Sequence, residues 1–111
     1  MRLPIEIRNL ARHELSRVGI GVVAPHIRSA VAQLAFLHVS QGFRYAGIGT
    51  LLSGDLELIA RRAGDTEIVV SATPSENTVR FYLARGYRPM MQPLAELLKL
   101  EPDDIHMGMM I

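Results

Sequence analysis

The sequence has no cysteine and no tryptophan, and its aromatic residues amount to 5% of 111. Without cysteine there is no disulfide framework and no thiolate nucleophile, and the composition suits the reducing cytoplasm expected here. No apolar run approaches the roughly 20 residues that a membrane span needs. The opening "MRLPIEIRNL" carries Glu6 and Arg8 and lacks the apolar core of a signal peptide. Neither sign of charge dominates: 12 Lys and Arg stand against 11 Asp and Glu, for a net charge of +1. With no basic run, neither nucleic acid nor a membrane surface is an expected partner. The four histidines, His13, His26, His38 and His106, make no metal-ligand spacing, so no metal is expected.

What is present is a single domain, residues 1–111, with 49% hydrophobic residues. A chain of this length buries roughly 60–70% of its unfolded surface, which leaves room for one core. Strands and helices alternate. "LPIEIRN" has the period of a half-buried strand, and "LARHELSRV" reads as a short helix. "VGIGVVA" is a β-branched strand that Pro25 is expected to stop. Ala30–Ser40 is a longer strand, whose alternation puts Leu34, Phe36 and His38 on one face and Gln33, Ala35, Leu37 and Val39 on the other. A helix to Ala63 follows, with Leu52, Leu56, Ile59, Ala60 and Ala63 as its buried stripe and Gly64 as its cap. Thr66–Ala72 is apolar on both faces, as a central strand is. Thr73, Pro74 and Glu76 make a capping box for a helix that closes on Gly86. "YRPMM" and "DIHMGMMI" are two more strands, separated by a looser segment from Pro93 to Pro102. Met90, Met91, Met107, Met109 and Met110 are expected to fill core or line a pocket.

The middle of the chain is thus strand, glycine turn, helix, strand, helix. In such a parallel unit ligands sit beyond the carboxyl ends of the strands, where the first amides of the helix lack partners and carry the positive end of its dipole. "RYAGIGT", Arg44 to Thr50, has the parts of a diphosphate cradle: a cation, two glycines without β-carbons and a hydroxyl. It is neither the Walker pattern nor the dinucleotide fingerprint. Spacing alone leaves open an anion site and a plain tight turn.

"LAFLHVSQGFRYAGIGTLL" resembles the signature of the GNAT superfamily, the acyl-CoA-dependent N-acyltransferases: Arg44, Tyr45, Ala46, Gly47, Ile48 and Gly49 fit its Arg/Gln-x-x-Gly-x-Gly/Ala motif after a strand and at a helix start. "FYLARGY", Phe81 to Tyr87, fits the aromatic pair and Gly-aromatic landmark of the following helix. The resemblance covers about Val18 to Ile111. It implies an α/β fold with a mixed sheet whose two central parallel strands splay apart. It also implies acetyl-CoA as acyl donor, its pantetheine along the backbone of Leu37, His38 and Val39, and its diphosphate on the amides of Tyr45 through Thr50. Tyr82 falls where many members place a tyrosine that protonates the CoA thiolate, a step a phenol can supply without a covalent intermediate. The expected activity is acetyl transfer to a small-molecule or peptide amine.

Three departures qualify what is implied. Where many members carry Asn, seven residues before the tyrosine, stands Ser75, with Asn77 two later; both are candidates for the cofactor. Gln33 replaces the strand carboxylate that some members use as base, which leaves His38, Glu76 through water, or bulk water. The residues themselves also allow Tyr82 and His38 to be packed side chains. The front of the domain lacks the family's usual helical segment, so a homodimer is expected to complete it. The alternative function is a CoA-binding or dimerisation module of the same fold with little transferase activity.

Overall fold

The computed structural model describes residues 19–39 and 47–111. The first expected strand, the short helix after it, and Arg44, Tyr45 and Ala46 lie outside the described residues. The elements are β1 (Gly19–Arg28), β2 (Val31–Val39), α1 (Ile48–Arg62), β3 (Glu67–Ala72), α2 (Glu76–Arg85), β4 (Arg88–Pro89), α3 (Ala95–Leu100) and β5 (Ile105–Met110). The strands form one mixed sheet in the order β1-β2-β3-β5-β4. Its central pair, β2 and β3, is parallel, and the other pairs are antiparallel.

Alternation along β2 and β3 sorts the side chains between two layers. Ala32, Leu34, Ile68, Val70 and Ala72 pack with Leu56 and Ala60 of α1 and Tyr82 of α2 in the main core. Val31 and Val69 face the other way, onto Leu97 of α3. The longer helices thus cover one face and the short one the other. Leu52, Leu56 and Ala60, four residues apart, are the deeply buried stripe of α1, whereas Ala63 is exposed and serves as its C-cap. Gly64 follows in the left-handed region at φ 96°, where glycine carries no β-carbon penalty.

The structure departs from the sequence pattern in five places. Pro25 does not end β1, because β1 is the outer strand of the described sheet and the ladder shifts register between Ala24 and Arg28; a proline is tolerated at such an irregularity. The alternation of β2 breaks at Ala35: Val23 opposes Leu34 but Val22 opposes Phe36, so Ala35 is the extra residue of a β-bulge. Beyond it Leu37 joins Leu34 against the main core, while Phe36 and His38 are exposed and stack on each other at 6.3 Å. The cap of α2 is Ser75 and not Thr73, since the Ser75 hydroxyl accepts from the Thr78 amide at 3.2 Å. The looser segment after Pro93 holds α3, too short to show a helical period. Of the methionines, Met107 is fully buried, but Met91 and Met110 are exposed.

Leu56 is fully buried between sheet and helix, against Gly21 of β1. Leu56→Ala should therefore lower the unfolding free energy by about 2–5 kcal/mol in urea denaturation. A loss under about 0.5 kcal/mol, the size of a surface effect, would contradict that placement.

Candidate functional site

Parallel pairing between β2 and β3 runs from Val31–Glu67 to Leu34–Val70 and stops there, although β2 continues to Val39 and β3 to Ala72. A bulge bends its strand, and Ala35 is the next residue after the last pair. The two strands therefore part, and two connected recesses open along the gap. One, of about 460 Å³, is lined by Leu37–Val39 of β2, by Gly47, Gly49 and Thr50, and by Asn77, Thr78, Phe81 and Tyr82 of α2. The other, of about 280 Å³, lies between Leu34–Leu37 and Val70–Thr73. Leu37, Thr78 and Tyr82 belong to both, which places Tyr82 at their junction.

The start of α1 is built on Gly47, whose φ of 80° and ψ of 4° are left-handed. Among the described residues no side chain caps this helix, and its first turn holds no acidic residue. Its leading amides therefore lie beside the larger recess at the positive end of the helix dipole, without a side-chain acceptor among the described residues. A β-carbon on Gly47 would meet no described residue within 4 Å, and its φ of 80° makes its glycine answer a conformational need. Gly49 answers a packing need: a β-carbon there would stand 3.2 Å from the Phe81 ring.

Tyr82 is 6% exposed and packs edge-to-face between Phe81 and Tyr87, with ring centroids 5.1 and 5.2 Å away. Burial pushes its pKa up to about 12. Tyr87 is pushed up further, by burial first and then by the charges of Glu57 and Tyr82, and its hydroxyl has no hydrogen-bond partner among the described residues. Both phenols are thus held protonated around neutral pH.

Of the residues expected to hold a cofactor, Leu37, His38, Val39, Gly47, Gly49, Thr50 and Asn77 converge on the larger recess. Ile48 and Ser75 do not line it. The Ser75 hydroxyl is committed to capping, accepting from the Thr78 amide and donating to Thr78 Oγ1 at 2.8 Å. Arg44, Tyr45 and Ala46 lie outside the described residues. Thr78 lines the recess without having been singled out, and Phe81, part of the aromatic-pair landmark, lines it without having been assigned to a site; their positions four and one residues before Tyr82 were the available signal. The sequence also left His106 among scattered histidines. Strand register puts it directly opposite Ser71, with Nδ1 3.2 Å from Ser71 Oγ. Among the described residues no group of His, Asp or Glu could hold a metal, and no helix is long and apolar enough to cross a membrane.

No family sequence model matches the chain, and no curated protein matches it in sequence. Solved structures do match. Ard1 from Thermoplasma volcanium superposes with a TM-score of 0.69 over 85% of this chain, at 17% identity. The PaiA N-acetyltransferase from Thermoplasma acidophilum, solved with coenzyme A, gives 0.68 over 85% at 18% identity. The fold is the GNAT fold. N-acetylglutamate synthase from Neisseria gonorrhoeae, complexed with coenzyme A and N-acetyl-glutamate, matches over 84% with a TM-score of 0.70 and 17% identity. At these identities the likeness is one of fold. This chain spans 63%, 54% and 23% of those three GNAT-fold chains, respectively. The splayed parallel pair expected of this fold is present.

The raised pKa of Tyr82 has a consequence for stability. Below pH 10 the phenol is protonated in both the folded and unfolded chain and adds no pH dependence. Above about 10 the unfolded chain loses this proton while the buried phenol keeps it, so stability falls until about pH 12. Two pKa units correspond to about 3 kcal/mol. The alkaline loss seen in urea titrations should become shallower in Tyr82→Phe, and an unchanged slope would show that Tyr82 is not the buried group.

Proposed function

We propose that this chain transfers an acetyl group from acetyl-CoA to an amine, as an N-acetyltransferase working by direct attack. The observation that carries the reading is the end of the β2–β3 ladder at Leu34–Val70, with a helix start that no described side chain caps at one end of the gap and a buried tyrosine at its junction. The residues fit such a donor. The space above Gly47 and the leading amides of α1 suit a diphosphate, and Arg44 together with the amides of Tyr45 and Ala46 would extend that cradle. The backbone of β2 beyond Leu34, which β3 no longer meets, suits the amides of a pantetheine arm at Leu37 and His38, continuing to Val39. Asn77 reaches the same recess from α2 in the place that Ser75 does not. Bound acetyl-CoA supplies an activated thioester.

The protein's own contribution is to hold that carbonyl in the gap, exclude water from it and assist the departing sulfur. Tyr82 serves the last step. Its pKa of about 12 lies some 3–4 units above that of an ordinary thiol near 8.5, so complete transfer to a thiolate in water would be uphill by about 5 kcal/mol. The phenol therefore acts as a hydrogen-bond donor as the carbon–sulfur bond breaks. The proton follows because the thiolate formed in the same buried recess is destabilised too.

Calorimetry with acetyl-CoA tests the cradle: saturable binding is expected, and Gly47→Trp should abolish it by filling the diphosphate space. No heat and no thermal shift at millimolar CoA would dismiss the reading.

Turnover tests Tyr82. CoA release with a panel of amines should fall by about 10²–10⁴ in Tyr82→Phe, with acetyl-CoA affinity nearly unchanged. Turnover of the Phe variant within about threefold of the parent would make Tyr82 a packing residue.

A further inference from the structure

The other face of the gap holds a second arrangement of polar groups. Ser71 belongs to β3 one residue beyond the last β2–β3 pair and lines the smaller recess. It is two residues from Val69, so its side chain leaves the sheet on the α3 face, away from α1 and α2. Directly opposite it on β5 is His106, only 7% exposed. His106 Nε2 stands 2.8 Å from the backbone carbonyl of Glu101, the residue that caps the C-terminal end of α3. A carbonyl oxygen only accepts, so Nε2 carries the hydrogen. In the neutral ring Nδ1 is then the acceptor, and the Ser71 hydroxyl donates to it across 3.2 Å. A hydroxyl is thus aimed at a fixed imidazole lone pair at the edge of the gap, and the imidazole is itself oriented by a third group.

We propose that Ser71 and His106 form the proton relay that deprotonates the amine acceptor, with the amine approaching from the α3 face of the sheet. The proposal rests on the transferase reading above and assigns its base. The amine nitrogen bonds to the thioester carbonyl carbon, and the carbon–sulfur bond breaks with its electron pair leaving on sulfur. The amine proton passes to Ser71 Oγ as the Ser71 proton passes to His106 Nδ1. The resulting imidazolium donates from both nitrogens, to Ser71 and to the Glu101 carbonyl, and afterwards returns its proton to solvent. Ser71 is the group that meets the amine; His106 acts through it.

The charged groups on the surrounding elements leave the relay in possession of the proton. On β3, Glu67 lies at the far end of the strand, opposite Met110. On β4, the Arg88 guanidinium donates to the carbonyls of Leu83 and Tyr87. On α3, Glu96 is paired with Arg28, and Lys99 is exposed. In the turn before β5, Glu101 and Asp103 are exposed and Asp104 is half-buried. None of these carboxylates forms an ion pair with His106 among the described residues. The exposed His38, stacked on Phe36, has no such acceptor–donor chain behind it among the described residues.

The test measures CoA release from acetyl-CoA with a polyamine, free lysine and a short peptide with a free N-terminus, together with acetyl-CoA binding and a thermal melt for each variant. Ser71→Ala and His106→Gln should each lower kcat by about 10²–10⁴, leaving acetyl-CoA affinity unchanged, while Ser71→Thr restores most of the rate. The parent kcat should show an acid limb, rising with pH, and this limb should vanish in His106→Gln. A purely structural histidine would not move that limb. Retention of the limb, or turnover of His106→Gln within about threefold of the parent, would overturn the relay and leave the transferase standing. An acetyl ester on Ser71 in intact-mass spectra would overturn it in favour of a covalent route. A parent protein that binds acetyl-CoA and acetylates no amine of the panel would remove the transferase reading itself. Should His106→Gln fail to fold, Ser71→Ala decides alone: near-parental turnover there refutes the relay.

Discussion

Parallel pairing of β2 with β3 ends at Leu34–Val70 while both strands run on, and the rest of the site depends on that ending. A sheet that kept its ladder to Val39 would bury the backbone amides and carbonyls now lining the gap. The bulge at Ala35 supplies the local cause, since the extra residue bends β2 and increases its twist immediately after the last paired position. The gap persists because both strands are anchored on their other sides. β1 pairs with β2 as far as Val39, and β5 pairs with β3 as far as Ala72. The strands can part at one end without unzipping, because the apolar layer at the closed end, with Ala32, Leu34, Ile68, Val70 and Leu56, holds them together.

The two faces of the sheet have different chemistry at the gap. On the helix face are the uncapped start of α1, Asn77 and the ring of Tyr82, an arrangement suited to an anionic, extended donor. On the α3 face are Ser71 and His106, neutral groups linked in a chain to a backbone carbonyl. In the proposed transfer the donor would enter from one side and the amine proton would leave on the other. Burial pushes the pKa of Tyr82 up to about 12, and the Glu101 carbonyl, accepting from Nε2, fixes the tautomer of His106.

Much of this was legible along the chain. The strand–turn–helix order, the apolar stripe of α1 and the left-handed glycines at Gly64 and Gly86 follow from residues close together in sequence, whereas the convergence of Leu37–Val39 with Gly47, Gly49 and Tyr82 was implied only by the resemblance. The misreadings share one origin. Pro25 inside β1, the flipped faces of Phe36 and His38, and the helix inside the Pro93–Pro102 segment are each set by register or packing with a distant element. The Ser75 cap is the local exception, where one hydroxyl two residues along competed better for the Thr78 amide than the expected box.

The sequence by itself determined the strand–turn–helix order at the middle of the chain and the glycine turn before α1, because helical periodicity and glycine conformation act over a few residues and leave their mark in the order of side chains. The tertiary structure alone decided the α3 side of the gap. Ser71 and His106 are 35 positions apart, and only the antiparallel register of β3 with β5 brings hydroxyl and imidazole to hydrogen-bonding distance. It also decided where β2 leaves β3, since a bulge exists only relative to the strand it is paired with. Pairing register is a property of two chain segments at once, and neither segment carries it alone.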